Sequence, residues 1–178
     1  MNISDAIMLA VQYSLDKGIN RTTLQKTLYF IDRSYKLGCE FQPHFYGPYS
    51  KIVDDQIERL VQTNLVKEIE SDITPNNQYN YTVTNDSKQI IEILERKCSK
   101  EAKLIKELVI YINKKKLKAS DISAIAKVQY IQDYLSEKKS NKPVKTIIRH
   151  MGWNIDDVMP IKICEGISHE INTILGKS

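Results

Sequence analysis

Between residues 65 and 84 the apolar pattern of this chain changes period, and that change decides most of what it can fold into. Before it, apolar residues recur every three or four positions, the spacing that gathers them on one face of a helix. Residues 78–84 alternate instead: Tyr79, Tyr81 and Val83 point one way, Asn80, Thr82 and Thr84 the other. Residues 65–70 read as a partner strand, joined to them by the polar turn SDITPNN. The helical period then returns. The order helix–helix–helix–hairpin–helix is that of a winged helix-turn-helix. The expected fold class is mainly α: a winged-helix-like half over residues 1–97 with one β-hairpin, then an α-helical half over 98–178, packed as one unit.

Local signals bound the elements. Ser4 reads as the N-cap of a helix over 4–17, with Ala6, Ile7, Ala10, Val11, Ser14 and Leu15 on one face and Gly18 at its C′ position. Thr22 and Gln25 have capping-box spacing for a second helix through Leu24, Leu28, Ile31 and Tyr35, stopping at Gly38. Ser50 caps a third, with Val53, Ile57, Leu60 and Val61 as its buried stripe. Thr84 or Asn85 caps a fourth, through Ile90, Ile91 and Leu94. Beyond residue 98 the pattern predicts helices over 100–115, from Ser120 through Leu135, and from Pro143 to Gly152. A last helix runs from an Asn154 cap to Leu175, with Pro160 forcing a kink or a restart.

Composition narrows the function classes. No apolar run reaches the roughly 18 residues of a membrane helix, and the start lacks the lysines of a signal peptide. Three cysteines, Cys39, Cys98 and Cys164, are widely spaced, which suits reduced thiols and a cytoplasmic location. Residues 1–96 carry 10 Lys and Arg against 13 Asp and Glu, whereas residues 97–178 carry 16 against 9. A basic half fits nucleic acid; it fits equally two oppositely charged halves packed together, or a solvated lysine face.

Reactive groups are sparse. There is no glycine-rich phosphate loop, nucleophile elbow or zinc motif, and His44, His150 and His169 fall in three different elements. No catalytic residue, metal ligand or cofactor is assigned. A winged helix invites DNA binding, yet the third helix carries Asp54, Asp55 and Glu58 against Lys51 and Arg59. A net negative reading helix gains little from counterion release. Protein binding is the better use of such a surface, and an acidic one suits a basic partner. The rigid turn Phe45, Tyr46, Gly47, Pro48 and Tyr49 supplies aromatic anchors for it, unless Phe45 and Tyr46 simply pack under the helices. The alternative is a DNA-binding regulator using Lys114, Lys115, Lys116, Lys118, Lys138 and Lys139. The first of these runs also complements a helix dipole.

The segments Leu24-Gln25-Lys26-Thr27-Leu28-Tyr29-Phe30 and Tyr46-Gly47-Pro48-Tyr49-Ser50, followed by Leu60 and Leu65-Val66, resemble the Panacea (SocA-like) family over about residues 3–95. The match is nearer to its YwgA-like branch, because Gln42-Pro43-His44-Phe45 stand where the family often has an alanine–tryptophan pair. The resemblance implies a small, cytoplasmic, mostly helical protein without catalysis. It also implies a protein partner, such as a cognate toxin that an antitoxin neutralises or an adaptor delivers to a protease.

Overall fold

The computed structural model describes residues 1–14, 18–71 and 78–177, so Leu15, Asp72 and most of the hairpin turn lie outside the described residues. Within them the chain is mainly helical, with eight helices and a small three-stranded antiparallel sheet. The winged-helix portion is formed by α1 (Ile3–Gln12), β1 (Ile19–Asn20), α2 (Arg21–Tyr35), α3 (Lys51–Gln62), β2 (Val66–Ser71) and β3 (Gln78–Val83). The sheet order is β1-β3-β2, with Val66 opposite Val83 and Ile19 opposite Tyr81. Tyr81 and Val66 are buried, so the alternation seen in sequence does turn one sheet face to the core.

Several helix ends differ from expectation. Asn2, not Ser4, caps α1: its side chain accepts from Asp5 N at 2.9 Å while Asp5 accepts from Asn2 N at 2.8 Å. A reciprocal box needs an acid three residues on, which Asn2 has and Ser4 lacks. Ser4 donates to Gln56 of α3 instead. The helix ends at Gln12, so Gly18 is not its C′ residue. With φ +75°, Gly18 lies where a Cβ would come within 2.5 Å of the Tyr81 carbonyl oxygen, so this glycine lets β1 approach β3. Asn20 rather than Thr22 caps α2, accepting from Thr23 N at 2.9 Å. Ser50 caps α3 as expected, accepting from Val53 N.

The strand pair is followed by α4 (Lys88–Lys97), which neither Thr84 nor Asn85 caps. The Thr84 hydroxyl donates to the Asn64 carbonyl at 2.6 Å and so closes β3 back onto the end of α3. The remaining helices are α5 (Ser99–Lys114), α6 (Ala119–Glu137), α7 (Val144–His150) and α8 (Ile161–Ile174). Pro160 marks a restart: it is the N-cap residue of α8, and Asn154 pairs with Asp157 in the preceding turn rather than capping the helix.

One continuous apolar core runs from Ala6 to Leu175 across both halves. Helix α2 lies at its centre, touching α1, α3, α5 and α6, and every residue from Thr23 to Ile31 is buried. None of the helices among the described residues is long and apolar enough to cross a membrane.

Candidate functional site

A helix buried on all sides must satisfy its polar side chains internally, since an unpaired buried donor or acceptor costs about 1–3 kcal/mol. On α2 the bonds of Gln25 and Lys26 converge on the loop that enters α3, whereas the Thr27 hydroxyl is buried without a partner. Gln25 Nε2 donates to the Ser50 carbonyl at 3.0 Å, and Ser50 N donates to Gln25 Oε1 at 3.1 Å. Lys26 Nζ donates to the Pro48 carbonyl at 2.9 Å. Ser50 Oγ also donates to the Cys39 carbonyl, and the extended residues Gln42 and Tyr49 exchange both backbone hydrogen bonds. Gln25 is therefore not a capping partner of Thr22. It is one of the ties that hold the turn.

The turn divides sharply into a base and a tip. Gly47, Pro48 and Ser50 are buried and Tyr49 is half-buried, whereas Phe45 and Tyr46 are 69% and 60% exposed. The two rings meet edge to face, with centroids 5.0 Å apart. They do not pack under the helices. Trp153, in the segment between α7 and α8, donates its indole N–H to the His44 carbonyl at 3.0 Å and holds the tip from the other side. Gly47 has φ +93°, and a Cβ on it would lie 3.1 Å from Lys127 Cγ and 3.3 Å from the Ser123 carbonyl oxygen. Substitution Gly47→Ala is expected to lower stability by about 1–2 kcal/mol through backbone strain and crowding against α6. Urea unfolding checks this. A variant as stable as the wild type would show that the turn relaxes freely.

Beside the tip, Phe45, Tyr46, Ser120, Ser123, Lys127 and Trp153 help to line a cavity of about 540 Å³. Lys127 Nζ lies 5.9 Å from the Phe45 ring centre and 5.4 Å from that of Trp153, a cation–π arrangement. Burial pushes the Lys127 ammonium below its ordinary value. Burial, with the Lys127 charge, pushes Lys26 down to about 8. Lys26 should therefore leave a signature in the pH dependence of stability. Its folded value lies below its unfolded one of about 10.4, so the unfolded chain binds more protons between them and this group favours folding as pH rises. The buried thiols act in the opposite direction, because burial raises both Cys39 and Cys164, the latter to about 11. The Lys26 contribution is thus read by difference. Wild type is expected to gain about 2 kcal/mol relative to Lys26→Met between pH 7 and pH 10 in urea unfolding. Parallel curves for the two proteins would contradict this.

The acidic face expected on α3 is smaller than its sequence indicates. Asp54 is buried: Arg21 Nε donates to it at 2.7 Å and Tyr49 Oη at 2.9 Å. Its amphipathic position looked solvated, but Arg21 and Tyr49 close over it from other elements. It fixes the base of the turn and cannot present charge to a partner. Asp55 is half-buried and paired with Lys51, which leaves Glu58 exposed beside Arg59.

The lysines of the DNA reading do not form one patch. Lys114, Lys115, Lys116 and Lys118 precede α6, whereas Lys138 and Lys139 follow it, about 30 Å away along a helix rising 1.5 Å per residue. Lys115 is moreover paired with Glu170 at 3.1 Å. His44, His150 and His169 stay apart, and no three His, Cys, Asp or Glu side chains gather to hold a metal ion among the described residues.

Sequence reasoning gave Gln25 a capping role and Lys26 only a place in the segment that carries the resemblance, and it passed over Ser123, Lys127 and Trp153. The available signals were two polar residues inside the apolar run of α2 and the chain's single tryptophan. No protein-family model and no curated protein matches the chain.

Proposed function

We propose that this chain is a non-enzymatic binding protein that grips a protein partner through its aromatic tip, as a SocA-like antitoxin or proteolytic adaptor would. The observation that carries the reading is the contrast at the turn: two large rings exposed on a base locked by buried hydrogen bonds. Rings on a base held this way need little further ordering when covered, so less of the energy gained by burying them is offset. The resemblance of Leu24–Phe30 and Tyr46–Ser50 to the Panacea family supports the same surface, since those two segments are the ones bonded to each other here. Asp55 and Glu58 lie on α3, the helix that the turn leads into, and are a minor charged contribution at most. Gly47, Pro48 and Tyr49 position the tip rather than touch the partner.

The test is affinity purification from the native host after nuclease treatment, wild type against the double variant Phe45→Ala/Tyr46→Ala. A stoichiometric protein held by wild type and lost by the variant supports the reading. Recovery of nucleic acid alone, released by digestion or high salt, would replace it with a DNA-binding regulator.

A further inference from the structure

Among the described residues, the cavity beside the aromatic tip has one charged lining residue, Lys127, and no carboxylate among its walls. Lys127 and Lys26 take part in no salt bridge among the described residues. The Phe45 and Trp153 rings attract the Lys127 charge but offer no lone pair to its three N–H donors. One helical turn away, Ser123 is 7% exposed, and its hydroxyl is buried without a hydrogen-bond partner. Ser120, Ser123 and Lys127 follow the helical spacing that puts them on one face of α6. An ammonium with no protein acceptor among the described residues and a buried hydroxyl with no partner therefore belong to two residues that line the same cavity. Trp153, Ile155 and Val158 with the two tip rings supply flat or apolar walls, and Thr22, Ser120 and Asn154 add neutral polar ones.

We propose that this cavity binds a small organic acid, its carboxylate held by Lys127 and Ser123 and its apolar body lying between Phe45, Trp153 and Ile155. A carboxylate supplies two acceptor oxygens and the single negative charge that one lysine balances. A phosphate ester would bring more charge and more acceptor oxygens than these two donors satisfy. The volume of about 540 Å³ lies in the usual range for small-ligand sites, roughly 300–1,000 Å³. The site shares Phe45 with the partner-binding reading, but its charge recognition comes from α6, so the Lys127 and Ser123 variants test it separately from the tip.

Trp153 is the only tryptophan, so tryptophan fluorescence reports on the surroundings of this one wall, and the Lys127 and Ser123 variants assign a response to this cavity. Phenylacetate and 4-methylpentanoate serve as probes, with phenylacetamide as the uncharged control, all at constant ionic strength. The acids are expected to change Trp153 emission saturably, and phenylacetamide to bind about tenfold more weakly or worse. Lys127→Gln and Ser123→Ala should each weaken phenylacetate binding, whereas Lys127→Arg should retain it. Unfolding midpoints of these variants separate lost binding from lost folding. The proposal is overturned by no saturable response to either acid, by equal binding of acid and amide, or by undiminished binding to a folded Lys127→Gln protein.

Discussion

Replacing Asp133 by alanine will destabilise the protein by about 3 kcal/mol. Asp133 lies on α6 and accepts from three groups of α2: Arg33 Nε at 2.5 Å, Arg33 Nη2 at 2.7 Å and the Tyr29 hydroxyl at 2.9 Å. Gln129 of its own helix donates at 3.0 Å and in turn accepts from Asn172 of α8 at 2.9 Å. The Arg33 side chain is only 14% exposed, so losing its carboxylate leaves a largely buried guanidinium uncompensated, with Asn172 Oδ1 as its one remaining acceptor. Because Asp133 itself is 32% exposed, water screens part of the pair, and the cost falls at the lower end of the 3–5 kcal/mol typical of broken buried pairs. Urea unfolding of Asp133→Ala, Arg33→Ala and the double variant measures it. A double variant much less destabilised than the sum of the two singles confirms the coupling, whereas simple additivity would show that the two side chains act separately.

The second large effect is expected at Gln25. Its carboxamide answers both the N–H and the carbonyl of Ser50, so Gln25→Ala leaves the buried Ser50 N–H without an acceptor and the Ser50 carbonyl with Asp54 N as its one remaining donor, and is expected to cost about 2 kcal/mol. Gln25→Glu is the sharper version, since it keeps the shape but replaces the donor to the Ser50 carbonyl with a charged acceptor. Its penalty should be full at neutral pH and shrink as the pH falls toward the carboxyl's own pKa, because the protonated carboxyl donates again. Thermal unfolding of both variants between pH 4 and pH 7 tests this. A Gln25→Glu protein that loses stability on acidification in parallel with wild type would remove this residue as a tie of the turn.

These ties explain why the sequence was legible in some places and not in others. The hairpin was readable because Tyr79, Tyr81 and Val83 alternate over a full strand, and Ser50 because a cap and the stripe it precedes are neighbours in the chain. Strand β1 was not, since two residues carry no period. Pro160 forced a break wherever a helix met it, but whether the helix bent or restarted depended on packing. The candidate site was half legible. Aromatic residues on a glycine–proline turn can be recognised locally, whereas their exposure depends on Lys26, 22 residues before Pro48, and Trp153, 109 residues after His44. Asp54 shows the converse: its helical position indicated solvent, and two side chains from outside α3 bury it.

The central claim is that the exposed tip, and not the charged surface around it, holds a protein partner. Phe45→Ala/Tyr46→Ala is the most direct probe, because truncating exposed rings should change stability by no more than about 0.5 kcal/mol. The measurement is quantitative recovery of co-purifying protein from nuclease-treated native extract, wild type against this variant. The expected result is a stoichiometric partner whose recovery drops by about a hundredfold with an unchanged unfolding midpoint, as for anchors worth 2 kcal/mol or more. Full recovery of the same partner by the folded variant would contradict the claim.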